Sequence, residues 1–434
     1  MTNISKNNSP FPPLNKRGLG GVMGDWDLSM TARICITGVG VVSSIGVGKE
    51  EFLSSVKNGK SGIDEIKTFD THFSRSKKAG MVRNFHPKDF IPSSKIRRLD
   101  RASQFAIAAS KLALADAQFS VTQENSSRVG VVLGSGFCGL SSSEEFHRGQ
   151  VLKGFLDLNP MLFPNTVPNA ASSHVSIELG IQGVNCTLVQ SFCSAEAAMN
   201  FACDQIQTGR ADLILTGGVD ELSEFLFRGF SDLHLLATDQ GHGERSCPYD
   251  RMRNGLILGE GAGVLAIESE EHARSRGAKV YSYILGYGLV GQSSKEKEPE
   301  DISRSIKLAM RGKENIQIDH ISSAGNSSKL LDEVEAKGIK ETFSSGALGF
   351  PVSSIKSMTG EAIAFGGIRM VANVLSMNHG FIPPTINYQF PDPACDLRYV
   401  THQKMDQKLR TILHLGISPG ECYSSILIGR EWNQ

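Results

Sequence analysis

Short runs of β-branched and apolar residues closed by glycines alternate along this chain with longer stretches whose apolar residues recur at helical spacing. The first run, Ala32-Arg-Ile-Cys-Ile-Thr-Gly-Val-Gly-Val-Val, ends in a Ser-Ser-Ile-Gly turn and predicts a strand followed by a loop. Further strands are expected over 128–133, 187–189, 213–216 and 263–267, with helices over 102–115 and 194–207 between them. The second half repeats this grammar: a strand over 280–285, helices over 301–310 and 330–342, and strands near Val352 and over 424–428. Alternating strands and helices predict α/β layers. No short repeat is visible in the sequence, but two similar α/β halves suit its length. Residues 1–30, rich in Asn, Ser, Pro and Gly, carry no such pattern and contain two later methionines, Met23 and Met30. They are expected to form a flexible tail or to reflect a misplaced start site.

Composition narrows the classes. A chain of 434 residues buries a large core and, at roughly 100–200 residues per domain, allows two or three packed units. Lys+Arg and Asp+Glu both total 45, so net charge gives no reason to expect nucleic acid or an anionic membrane as partner. The eight cysteines (35, 138, 186, 193, 203, 247, 395 and 422) form no CxxC pair and have no metal-ligand spacing with histidine. No disulfide framework, metal or cofactor is expected. No apolar stretch approaches the roughly 20 residues of a membrane span, and no basic-then-apolar leader opens the chain. A reduced, cytoplasmic protein is the expectation.

Several short blocks then occur in a specific order. Ile36-Thr-Gly-Val-Gly-Val-Val-Ser-Ser-Ile-Gly, Gly134-Ser-Gly, Gly217-Gly218, Pro248-Tyr-Asp-Arg, Gly259-Glu-Gly-Ala-Gly, Glu271-His-Ala-Arg-Ser-Arg-Gly-Ala, Lys356-Ser-Met-Thr-Gly and Pro383-Pro-Thr-Ile-Asn follow one another at characteristic separations. Each is weak alone, but the ordered set resembles the β-ketoacyl synthases and spans residues 32–430. The resemblance implies a thiolase-like five-layered αβαβα sandwich made of two fused halves, 31–275 and 276–434, the first of which carries the dimer interface and the nucleophile turn.

Condensation in that family needs a cysteine thiolate, placed on a sharp turn before a helix where the helix dipole favours the anion. Aligning ungapped from Gly180-Ile-Gln-Gly183, and independently back from Gly209 and Gly217-Gly218, puts the nucleophile position on Phe192 both times. Cys193 falls one residue late, which on a turn entering a helix points its side chain roughly 100° away. It is either a displaced nucleophile or a small residue packed under the turn. The segment matching the first catalytic histidine reads Ser322-Ser-Ala324-Gly-Asn-Ser-Ser, with Asp332 and Glu335 in register, so that histidine is replaced by Ala324. His320 is expected at a strand end or on the surface. Where the second histidine follows Lys-Ser-x-x-Gly, this chain has Lys356-Ser-Met-Thr-Gly360 and then Glu361. The two histidines donate hydrogen bonds to the enolate formed on decarboxylation, and an ionised glutamate would repel it. A Lys356–Glu361 pair is expected to stabilise the loop. The family's Gly-Phe-Gly-Gly gate reads Gly416-Ile-Ser-Pro-Gly420, a loop that proline would stiffen, and a companion gate position holds Leu256.

Loss at four sites of one machine, with its turn glycines kept, resembles the chain-length factor, or β-subunit, of type II polyketide synthases. That resemblance implies a catalytically silent subunit pairing with an active ketosynthase α-subunit, served by an acyl carrier protein with a phosphopantetheine-linked chain. The family's tunnel-wall positions map onto Phe137, Leu140, Ser141, Leu162 and Phe163, which set a floor for an apolar chain, form plain interface core, or both. Two rival readings remain open: an acyl-transferring or condensing enzyme using Cys193 with Glu361 as base, and a homodimeric carrier-binding scaffold. Arg97, Arg98 and Arg101 are candidates for carrier docking by charge alone, and a solvated helix start accounts for them equally.

Overall fold

A computed structural model describes residues 32–432. The expected tail over 1–30 lies outside them. Ten strands carry the architecture: β1 (Ile34–Ser43), β2 (Val129–Gly134), β3 (Asn185–Leu188), β4 (Leu213–Asp220), β5 (Gly261–Ser269), β6 (Ser282–Gly291), β7 (His320–Ser322), β8 (Val352–Ser353), β9 (Thr411–Ser418) and β10 (Cys422–Gly429). They follow the order β8-β7-β9-β10-β6-β1-β5-β4-β2-β3, and a short strand at Gly46–Val47 pairs β1 off that path.

The sheet is two copies of one pattern joined at β1 and β6, which share an antiparallel register of Ile34 with Ile284. In the first copy β3, β2 and β4 run parallel, and β4–β5 and β5–β1 are antiparallel. In the second, β8, β7 and β9 run parallel, and β9–β10 and β10–β6 are antiparallel. The repeat is carried by strand order and direction.

Helices fill the remaining layers: α1 (Arg101–Asp116), α2 (Leu140–Lys153), α3 (Ala170–Leu179), α4 (Ser194–Gln207), α5 (Glu224–Asp232), α6 (Glu298–Ala309), α7 (Lys329–Phe343) and α8 (Gly366–His379). α1 and α3 cover one outer face, while α6 and α7 cover the other. α4 and α8 lie between the two half-sheets, with apolar faces merged into one cluster that draws on β1, β4, β5, β9 and β10. The result is the expected thiolase-like αβαβα sandwich. α8 approaches β5 so closely that a Cβ on Gly263 would lie 2.3 Å from the backbone of Gly367, so both positions exclude a side chain.

Most expected elements are present within a few residues. α4 occupies the span expected for it, and the helix expected over 301–310 begins earlier, at Glu298, where Pro299 occupies the first turn. α8 and β9 carry no expectation from the sequence pattern. Residues 366–377 of α8 are all buried, and so is every residue of β9, so neither has the polar face that makes a period visible. Among the described residues no helix is long and apolar enough to cross a membrane, and no group of His, Cys, Asp or Glu is placed to hold a metal ion.

Candidate functional site

β3 enters α4 through Val189-Gln190-Ser191-Phe192-Cys193, a turn tight enough to place Ser191 at φ 45°. The turn closes on itself: the amides of Cys193 and Ser194 donate to the carbonyls of Gln190 and Ser191, both at 3.0 Å, and the Ser194 hydroxyl accepts from the Gln190 amide at 2.8 Å. Phe192 is half-buried at the head of this turn. Cys193 is 0% exposed, and its thiol donates to the Cys422 carbonyl at 3.3 Å. Burial, together with the neighbouring Cys422, pushes that thiol well above its ordinary pKa, which disfavours the thiolate that nucleophilic attack requires. Excess iodoacetamide applied to the folded chain is therefore expected to leave Cys193 unmodified, and stoichiometric alkylation found by peptide mass spectrometry would contradict this burial.

The structure brings Ala324, Lys356 and Glu361 together. The Lys356 ammonium donates to Glu361 at 2.5 Å and to the Ala324 carbonyl at 2.9 Å. Asn326 donates from its side chain to the same Glu361 oxygen at 2.9 Å. Lys356 and Glu361 are 3% and 1% exposed, so the pair is a buried one with its charges opposed and further hydrogen-bonded. The turn carrying Ala324 is held from behind by two carboxylates on α7. Glu335 accepts from the Ala324 amide at 2.7 Å and from the Tyr249 hydroxyl, and Asp332 accepts from the amides of Asn326 and Tyr249 at 2.9 and 2.7 Å. Burial raises both, Asp332 to about 7. Chemically the cluster is a carboxylate whose charge is opposed by an ammonium, beside the methyl group of Ala324.

A second buried charge cluster links this turn to α4. Arg369 on α8 donates to the Ser323 carbonyl at 2.9 Å and to Glu196 on α4 at 2.7 Å. Glu196 also accepts from His414 Nε2 at 2.9 Å, while Asn373 donates to His414 Nδ1 at 3.1 Å. Burial lowers the His414 pKa to about 4, which leaves the ring neutral. Burial opposes ionisation of Glu196, but His414 and Arg369 outweigh it and hold the carboxyl below its usual range. Reasoning from sequence missed Glu196, Asn326, Arg369 and His414. A signal was present for Arg369, the one permanent charge in a helix of mostly small and apolar residues.

His320 takes the strand-end alternative of its two expected placements: it opens β7, fully buried, bonds Ser353 at 2.9 Å, and has its pKa driven down to about 3 by burial. Two expectations need correction. Gly416–Ser418 is not a loop but the end of β9, paired with β10 up to Ser418–Cys422, so the proline stands in the hairpin turn, closed by Gly420 at φ 84°. Arg101 is not a free surface cation. It reaches inward to Glu260 through two bonds of 2.9 and 2.6 Å and to the Val82 carbonyl at 2.7 Å, whereas Arg97 and Arg98 stay exposed. Leu256 is packed with Leu222, Leu226, Phe227 and Leu236, a cluster against which Leu140 also rests.

The candidate tunnel residues fall on two neighbouring segments. Phe137, Leu140 and Ser141 lie on the turn from β2 into α2, and Leu162 and Phe163 lie on the return segment, where Phe163 meets the Phe146 ring of α2 at 6.1 Å. Neither segment is enclosed within one chain. Phe137 and Phe163 are exposed, and the same stretch exposes Val151, Leu152, Phe155, Leu156 and Met161, Leu156 completely. A contiguous exposed apolar run of this kind is characteristic of interaction surfaces.

Two family models match the chain, "Beta-ketoacyl synthase, N-terminal domain" over residues 31–273 and "Beta-ketoacyl synthase, C-terminal domain" over 281–389. The chain belongs to the β-ketoacyl synthase family. A 3-oxoacyl-[acyl-carrier-protein] synthase 2 of Staphylococcus aureus is 35% identical over 387 residues, 87% of this chain and 94% of that one. The corresponding protein of Coxiella burnetii is 32% identical over 410 residues, 92% and 99% of the two chains. Among solved structures, the ishigamide ketosynthase/chain length factor superposes with a TM-score of 0.85 at 28% identity, covering 92% of this chain and all of that one. A type II PKS acyl-carrier protein in complex with its ketosynthase gives a TM-score of 0.81 at 27% identity, again over 92% of this chain.

Proposed function

We propose that this chain is the catalytically silent, chain-length-setting subunit of a heterodimeric ketosynthase in the cytoplasm, and that the active α-subunit of that pair supplies the chemistry. The observation that carries the reading is the combined state of the site. Motif spacing gives Phe192 the nucleophile position and Ala324 and Glu361 those of the donors, and in the structure Cys193 is sealed under its turn and Glu361 is paired with Lys356. A displaced nucleophile would need an accessible thiol and a base, and Cys193 bonds to a backbone carbonyl inside the core. The ishigamide neighbour, whose description names a chain length factor, supports the finer reading. The sequence relatives described as 3-oxoacyl-[acyl-carrier-protein] synthase 2 support the coarser one.

In this reading the exposed apolar stretch from Phe137 to Phe163 faces the α-subunit and closes the acyl tunnel, and carrier protein reaches the pair loaded with the growing chain. The test is co-expression with and without the ketosynthase encoded beside this chain, followed by malonyl-dependent elongation on the carrier protein. Elongation is expected only in the one-to-one complex, unchanged by Cys193→Ala and altered in product length by Phe137→Ala. Elongation by this chain alone that is abolished by Cys193→Ala would sink the proposal and make Cys193 the nucleophile. A stable homodimer that binds carrier protein but ignores the ketosynthase would point to a scaffold instead.

A further inference from the structure

We infer that Asp220 and Glu221, adjacent carboxylates outside the degenerate catalytic positions, clamp the turn that bears Phe137, Leu140 and Ser141 and thereby fix where the acyl tunnel ends. The inference rests on the chain-length reading above. β4 ends at Asp220, and the two side chains leave it in different directions, both within hydrogen-bond reach of the turn. Asp220 Oδ1 accepts from the amides of Gly136 and Phe137 at 2.9 and 3.0 Å and from the Ser135 hydroxyl at 3.3 Å. Its Oδ2 accepts from the Ala364 amide at 2.6 Å. Glu221 accepts from the Ser141 amide at 3.1 Å with one oxygen and from the Ala102 amide at 3.3 Å with the other.

The turn needs these acceptors. Gly139, the N-cap of α2, has no side chain to offer the helix, so the first-turn amide of Ser141 takes its partner from Glu221. The amides of Gly136 and Phe137 likewise converge on one carboxylate, which aligns the backbone directly behind the Phe137 side chain. Asp220 and Glu221 are buried, and β4 is hydrogen-bonded on both sides, by β2 and β5, so the clamp is anchored at the end of an interior strand. On its other side the turn presses on the segment after Glu361, where a Cβ on Gly136 would lie 2.2 Å from Ile363. A wall held in this way stops a chain at one depth, whereas a wall free to shift stops it at several.

The experiment uses the heterodimer with its ketosynthase and carrier protein, in wild-type form and with Asp220→Asn, Glu221→Met or Phe137→Ala. Carrier-bound products are sized by mass spectrometry and expressed as shares of total product, a ratio that a general loss of folded complex does not move. Amide exchange of the 135–143 peptide is followed alongside. Asp220→Asn and Glu221→Met are expected to replace a single product length by a mixture and to speed exchange in that peptide roughly tenfold, as loss of a buried acceptor implies. An unchanged length in both clamp variants, with a shift in Phe137→Ala, would overturn the clamp and leave the chain-length reading standing. An unchanged length in all three variants would overturn both. If Asp220→Asn does not fold, Glu221→Met decides in the same way, since it fills a similar volume and removes the acceptors of the Ser141 and Ala102 amides.

Discussion

Replacing Glu361 by alanine is expected to destabilise the folded chain by about 3–5 kcal/mol, because it leaves the Lys356 ammonium in a dry interior with only the Ala324 carbonyl as partner. Lys356→Met is expected to cost a similar amount, since it strands Glu361 with the Asn326 amide alone. The double substitution Lys356→Met with Glu361→Leu should recover most of that loss, because the desolvation of both ions is removed together. Denaturant midpoints for the four proteins of this cycle measure the coupling directly. Additive losses would show that the two side chains act independently and that the ion pair is not what organises the loop. Glu361→His is a related case: the histidine of the family returns, but Ala324 and Phe192 remain, so no condensing activity is expected from it.

A charge placed in the exposed apolar stretch should break the complex. Leu156 is fully exposed and Phe163 is 63% exposed in the single chain, so aspartate at either position is tolerated by the fold. If the ketosynthase covers them, each substitution desolvates a carboxylate without a partner, and a loss of about 2–4 kcal/mol per central contact is expected, enough to abolish complex formation at micromolar concentrations. Leu308→Asp, on α6 in the other half, is the control, being 44% exposed but remote from the β3 edge. Analytical ultracentrifugation of mixtures separates the outcomes. Complexes of equal strength with Leu156→Asp, Phe163→Asp and the control would place the interface elsewhere and remove the tunnel from that surface.

How much of this was legible beforehand depended on periodicity and on spacing. α4 and α7 were readable because each sets an apolar stripe against polar residues. α8 was not, because it is surrounded on all sides by the two half-sheets and has no polar face to give a period. The ordered glycine motifs pointed by counting alone to the turn before α4 and to Ala324 and Glu361, two residues that the fold brings to the same ammonium. The same counting could not show that Gly416–Ser418 continues a strand, since a buried β9 and a loop both tolerate Gly-Ile-Ser.

The sequence by itself determined the family and the layered α/β class, because these are properties of order and spacing along the chain, and the same spacing singled out Phe192, Ala324 and Glu361 for attention. Only the tertiary structure decided what those side chains do. Glu361 meets Lys356 and Asn326, Arg369 joins Glu196 to Ser323, and Cys193 turns to Cys422 through contacts between residues that folding alone brings together. The physical reason is desolvation: a carboxylate or thiol acquires its charge state from the partners and the dryness around it, and neither is written in its neighbours in sequence.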